Sequence, residues 1–168
     1  MILSDRELRR RGHELLEPFT EAFVNPASID ICIGKTLIEE DISIDDGGRQ
    51  FDLDLRTKDN PYWLLPGQFV LVATLERLKV PLDLAMDLRL KSSRAREGYS
   101  HLLAFWFDPG WDGIGTLELT NVNQYRSLPL YPGLRIGQVI YHRLTEAPER
   151  PYQGKYQHAD DVEGAKGD

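Results

Sequence analysis

From Ile29 onward, hydrophobic and polar positions fall into short β-rich runs divided by turn residues. The runs are Ile29 to Ile33, Leu37 to Ile44, Phe51 to Leu55, Phe69 to Leu75, Leu84 to Leu90, Leu102 to Phe107, Thr116 to Asn121, Leu128 to Leu130 and Gln138 to Arg143. Such runs predict a many-stranded, mostly antiparallel domain. Between them stand turn signals: Asp46-Gly47-Gly48, Asn60-Pro61, Leu65-Pro66-Gly67, Asp108-Pro109-Gly110 and Tyr131-Pro132-Gly133. The even spacing predicts a jelly roll or distorted barrel.

The first residues follow another pattern. Ser4-Asp5-Arg6-Glu7 has the S-x-x-E spacing in which a serine caps a helix and the following Glu reaches back to it, so a short helix is expected from about Asp5 to Leu16. Pro18 and Asn25-Pro26 keep it from running further, because a residue before proline is pushed out of the helical region. After Leu144 the chain is polar and rich in Pro, Gly, Lys, Asp and Gln, with too little apolar content for a core of its own. The expected organisation is one domain over residues 1–144 and a flexible C-terminal lid or tail over 145–168. The acidic stretch from Glu39 to Asp46 reads as a solvated edge or hairpin.

Composition narrows the choice of partner. With 41% hydrophobic and 28% charged residues, the 168-residue chain has the balance of a packed, soluble domain, and splitting it would leave two cores too small to be stable. A net charge of −7 argues against tracking a nucleic-acid polymer, which needs a broad excess of Lys and Arg. Cys32 is the single cysteine, so neither a disulfide framework nor a multi-cysteine metal site is available. No apolar run approaches the roughly 20 residues of a membrane span, and the expected compartment is the cytoplasm.

Two segments can carry chemistry. Lys91-Ser92-Ser93-Arg94-Ala95-Arg96 crowds three cations and two hydroxyls into six positions after a predicted strand. Cations neutralise an oligophosphate while hydroxyls and free N–H groups give directional contacts; the alternative is a solvated helix start capped by Ser92 or Ser93. Asp108-Pro109-Gly110-Trp111-Asp112-Gly113 leads into Thr116-Leu117-Glu118-Leu119, where alternation puts Thr116 and Glu118 on one face and Leu117 and Leu119 on the other. These carboxylates read either as a turn cap and a surface Glu, or as a pair dividing sugar contact from proton transfer.

His13, His101, His142 and His158 show no metal-ligand spacing and are assigned no catalytic role. There is no H-x-E with P-C-x-x-C, so zinc-dependent nucleobase deamination is not expected.

The order of motifs resembles the dCTP deaminase family, a branch of the dUTPase superfamily that includes bifunctional deaminase-diphosphatases. The likeness runs from Leu3-Ser4-Asp5, through Asn25-Pro26-Ala27-Ser28-Ile29-Asp30, Leu65-Pro66-Gly67, Lys91 to Gly98 and Asp108 to Glu118, to Tyr131 to Gln138. It implies a distorted jelly-roll, dUTPase-like β-barrel subunit in a homotrimer whose active sites are shared between chains. It implies that Glu118 is the general acid/base that activates water against cytosine C4 without a metal at the base, with Ser92 and Arg96 orienting the water and the Glu.

By the same resemblance, Lys91, Ser93, Arg94 and Ala95 hold phosphates, Asp108 accepts the sugar 3′-OH, Thr116 and Leu117 present backbone to the base, and Gln138 lines the pocket. Tyr152 and Lys155 close the tail over the triphosphate, and Mg²⁺ binds through phosphate oxygens. Three positions depart from the family pattern. Lys91 replaces a common Arg, Ala159 stands where a Gln usually lies four residues beyond the Lys, and Phe105 replaces a small residue in the Ala104-Phe105-Trp106-Phe107-Asp108 run.

The leading expectation is deamination of dCTP, or a related deoxycytidine nucleotide, to dUTP and ammonia. One alternative is a dUTP diphosphatase or a bifunctional enzyme releasing pyrophosphate, favoured by Trp106. Another, from a different class, is a turnover-free regulatory trimer that binds dCTP, dUTP or dTTP, favoured by Ala159.

Overall fold

The structure is a computed structural model describing residues 1–40, 48–102 and 104–167. Helix α1 (Asp5–Leu15) places Leu8, Gly12 and Leu15 on its buried side. The remainder is mainly β, as expected: β1 (Leu16–Glu17), β2 (Val24–Asn25), β3 (Ser28–Glu40), β4 (Gly48–Asp52), β5 (Tyr62–Leu64), β6 (Phe69–Lys79) and β7 (Leu84–Leu90) come first. Short helix α2 (Ser92–Glu97) follows, then β8 (Tyr99–His101), β9 (Trp106–Phe107), β10 (Asp112–Asn121), β11 (Leu128–Leu130) and β12 (Arg135–Arg143).

The main sheet runs β8-β10-β6-β3-β12-β7-β9, with β1 on β6 and with β2 and β4 on β3; β11 and β5 form a separate pair. Strand β3 makes the corner. Its first residues pair with β2 and β12, and its later ones with β6 and β4. Ile29, Ile31, Ile33 and Leu37 on this strand, Val70 and Val72 on β6, and Leu117 and Leu119 on β10 are all buried. Each such aliphatic contributes roughly 1.5–3 kcal/mol by leaving water. Together they make a continuous core whose far wall is the back of β10.

Several expectations need correction. Ser4 makes no side-chain cap; its carbonyl accepts the Leu8 N–H, while Glu7 pairs with Arg10 instead of reaching back. The runs at Ile29 and Leu37 are one strand, because Gly34 does not turn the chain: a side chain there would meet the Thr74 carbonyl oxygen at 2.6 Å, so glycine admits the close approach of β6. Residues 41–44 of that second run, most of the acidic stretch and the start of the Asp46-Gly47-Gly48 turn lie outside the described residues. The strand expected over Phe51 to Leu55 lies at Gly48–Asp52, the one expected over Leu102 to Phe107 is replaced by β8 and β9, and β5 was not expected at all.

Among the described residues no helix or strand forms beyond β12, yet this segment packs on the domain and buries Ala159 and Val162. No helix among the described residues is long and apolar enough to cross a membrane.

Candidate active site

Strand β10 alternates half-buried and buried residues along its whole length. Thr116 and Glu118 therefore share the face away from the core, as the spacing predicts, and Leu117 points into the core behind them. In front of that face lies a cavity of about 610 Å³, within the size range of small-molecule sites. Phe69 and Leu71 of β6 form one wall, the 104–108 segment another, and Tyr152, Tyr156 and Glu163 of the tail a third.

Glu118 is the polar floor of this cavity. Its side chain is 23% exposed, and burial holds its pKa above the ordinary carboxylate value of 4.5. Oε2 has no hydrogen-bond partner. Beside it stands His101, which the sequence assigned no role: its Nδ1 is 3.5 Å from Oε2 of Glu118, and its side chain is 4% exposed. Burial lowers the His101 pKa, so at neutral pH the ring is uncharged and supplies a dipole without a counter-charge. A carboxyl among apolar walls keeps its proton more tightly than one in water, which suits shuttling protons near neutral pH. His101 comes here because β8 pairs with β10, with Leu119 opposite His101. No metal-ligand spacing could have signalled that.

Asp108 and Tyr152 line the same cavity. Asp108 accepts the Trp106 indole N–H at 3.0 Å and begins the turn before β10. Thr116 accepts the backbone N–H of Glu163 through its hydroxyl at 3.1 Å. Lys155 lies further along the tail, donating to the Lys166 carbonyl at 2.5 Å.

The cation-rich segment is elsewhere. It forms α2, with Lys91 at the N-cap position and no side-chain cap, so neither Ser92 nor Ser93 caps it. Ser92, Ser93, Arg94, Ala95 and Arg96 do not line the Glu118 cavity of the same chain. Lys91 is held by both oxygens of buried Asp30 at 2.6 Å, Arg94 pairs with Glu97 at 2.7 Å, and Gln138 accepts the Ser28 hydroxyl at 3.0 Å. One chain thus gathers Glu118, Asp108, Thr116 and Tyr152 at one place and Lys91, Gln138 and α2 at another. A second cavity of about 400 Å³ carries Asp52, Asp54, Asp160 and Asp161 and would repel a polyphosphate.

These features define a mainly β protein with a half-dry carboxylate at the floor of a nucleotide-sized pocket. The dCTP deaminase-like family model matches residues 2–144, and the chain belongs to that family. It is 37% identical to the dCTP deaminase of Pyrococcus horikoshii over 157 residues, covering 94% of this chain and 92% of the relative. To the dUMP-forming dCTP deaminase of Mycobacterium ulcerans it is 40% identical over 163 residues, covering 90% of this chain and 85% of the relative. Among solved structures, the 2′-deoxycytidine 5′-triphosphate deaminase of Agrobacterium tumefaciens superposes with a TM-score of 0.69 at 21% identity. That match covers 85% of this chain and 48% of the Agrobacterium chain, and it bears on the fold alone.

Proposed function

We propose that this chain hydrolyses the 4-amino group of dCTP, with Glu118 as general acid and base. The observation that carries the reading is the unpartnered, half-buried carboxyl of Glu118 at the floor of a 610 Å³ cavity. Ionised Glu118 takes a proton from water as the oxygen adds to C4, and delivers it to N3. The new C4 hydroxyl then gives up its proton by way of Glu118 to the amino nitrogen. Ammonia leaves, and the C4 carbonyl of uracil forms. The protons balance, with one water consumed and Glu118 returned to its starting state.

Asp108 binds the sugar 3′-OH, Thr116 and Leu117 offer backbone to the base, and Tyr152 and Lys155 cover the phosphates. Ser92 and Arg96 orient the water and the Glu, while Lys91, Ser93, Arg94, Ala95 and Gln138 complete the nucleotide contacts from a neighbouring subunit of a homotrimer. The separation of these two groups within one chain supports such a shared site. Mg²⁺ is expected to arrive on the phosphate oxygens. No cluster of three His, Cys, Asp or Glu converges among the described residues, so the donor set suits an ion carried by the nucleotide. Bound there, it neutralises phosphate charge. The cytoplasm is the proposed compartment for an enzyme of the nucleotide pool.

A second reading has its own support: release of pyrophosphate after deamination, giving dUMP. The Mycobacterium ulcerans relative is named for that product, and the Trp106 indole donates to Asp108 at 3.0 Å beside the pocket. Incubation with dCTP and Mg²⁺, with nucleotides separated by chromatography, tests both readings. dUTP or dUMP supports deamination and decides between them, whereas unchanged dCTP removes it and leaves the regulatory trimer.

A further inference from the structure

The tail does more than roof the pocket. We propose that Gln157 is a positioning residue for sugar recognition, acting through the turn at residues 109–112 on Asp108. This rests on the reading of Asp108 as the contact for the sugar 3′-OH.

The backbone groups of the turn are satisfied on two sides, and the Asp112 carboxylate accepts from Arg77 at 2.7 Å. On its inner side the Gly110 N–H donates to Val80 at 2.7 Å, the Val80 N–H donates to the Trp111 carbonyl at 2.8 Å, and the Trp111 N–H donates to the Asp108 carbonyl at 3.1 Å. These bonds hinge the turn on the end of β6. Its outer side is satisfied by the tail. The Pro109 carbonyl accepts the Tyr152 N–H at 2.8 Å, and the Asp112 carbonyl accepts the His158 N–H at 2.8 Å.

Between these two backbone contacts, one amide side chain spans the turn. Gln157 Nε2 donates to the Gly110 carbonyl at 2.7 Å, and Gln157 Oε1 accepts the Asp112 N–H at 3.2 Å. The approach is close enough to require glycine. Gly110 has φ +93°, and a side chain there would meet Pro151 at 2.9 Å.

Asp108 stands at the head of this clamped turn. Its side-chain anchor is the indole of Trp106, a residue 55% exposed, so water competes for that bond. Its aim is therefore set chiefly by the backbone that Gln157 braces. Without the amide, the Gly110 carbonyl and the Asp112 N–H turn to water, the turn loosens between its two remaining backbone contacts to the tail, and the carboxylate loses its bearing on the ribose. An error of a fraction of an ångström suffices to weaken such a contact.

The experiment compares the dissociation constants of dCTP and 2′,3′-dideoxy-CTP, which lacks the 3′-OH, in the full chain carrying Glu118→Gln so that no turnover intervenes. Asp108→Asn, Gln157→Leu, Gln157→Glu and the Asp108→Asn/Gln157→Leu double variant are added to that background. Gln157→Glu keeps the shape but cannot donate to Gly110, which guards against a folding defect in the leucine variant.

We expect Asp108→Asn to erase the preference for dCTP and each Gln157 variant to reduce it about five-fold. In the double variant Gln157→Leu should add nothing further, because both residues act on one contact. If Gln157→Leu and Gln157→Glu weaken both nucleotides equally and leave the preference intact, Gln157 merely seats the tail and the proposal is overturned. If Asp108→Asn itself leaves the preference intact, the sugar reading fails first and takes the proposal with it, a result distinguishable from the other.

Discussion

Nδ1 of His101 faces two acceptors at once: the carboxylate of Glu118 at 3.5 Å and the Glu118 backbone carbonyl at 3.3 Å. A carbonyl oxygen can only accept, so Nδ1 carries the ring proton, and the buried Nε2, which has no partner, is the bare nitrogen. The ring therefore presents the positive end of its N–H dipole beside Oε2, at a distance too long for a hydrogen bond.

Replacing Glu118 by Gln removes the proton carrier and keeps the shape of the floor. Turnover of dCTP should fall by about 10²–10⁴-fold, while its dissociation constant changes little. Ammonia release and calorimetric titration read the two quantities separately; normal turnover in this variant would remove Glu118 from the mechanism.

The pH profile follows from the same carboxyl. Because burial raises the Glu118 pKa, kcat/KM should decline as pH falls through a value above 4.5, where Glu118 gains its proton and can no longer activate water. His101→Phe takes away the N–H dipole that lies beside the carboxylate, so the acidic limb should move to higher pH, and His101→Asn, which keeps a donor, should return it part of the way. A limb that stays in place in both variants would show that the ring does not tune Glu118.

At the tail, Lys155→Ala should raise the KM for dCTP about ten-fold with little change in kcat, as expected on losing one charge-assisted contact to the phosphates. Steady-state kinetics at saturating Mg²⁺ check this. An unchanged KM would show that Lys155 does not reach the nucleotide.

Glu76 governs stability. This β6 carboxyl is 2% exposed and accepts the Cys32 N–H at 2.9 Å, and burial pushes its pKa up to about 7. The folded chain therefore holds a proton that the unfolded chain, with the ordinary value of 4.5, has released. Folding stability attributable to Glu76 is fully present below about pH 4.5 and is lost as pH rises toward 7, a change on the order of 3 kcal/mol. The Tm of the native chain should drop from pH 5 to pH 8 more than that of Glu76→Gln, which still accepts from Cys32; parallel curves would refute the assignment.

How much of this was legible in the sequence depended on the range of the interaction. The shared face of Thr116 and Glu118 was readable because strand alternation is local, and the Asp108 turn was readable because Pro109 and Gly110 announce it. The His101–Glu118 contact was not, since it arises from the pairing of β8 with β10, which β9 separates in the chain. The continuity of β3 through Gly34 was hidden for a related reason, because only the approach of β6 shows what that glycine admits. The packing of the tail was hidden too, because its hold on the turn is made largely by backbone groups and by Gln157, which no hydrophobic pattern marks.

The corner strand β3 has a last consequence. Its thirteen residues belong to both halves of the main sheet, so neither half can come apart without unzipping the ladder that the other depends on. The domain should melt as one cooperative unit, with the loss of β12 and the loss of β10 falling on a single transition.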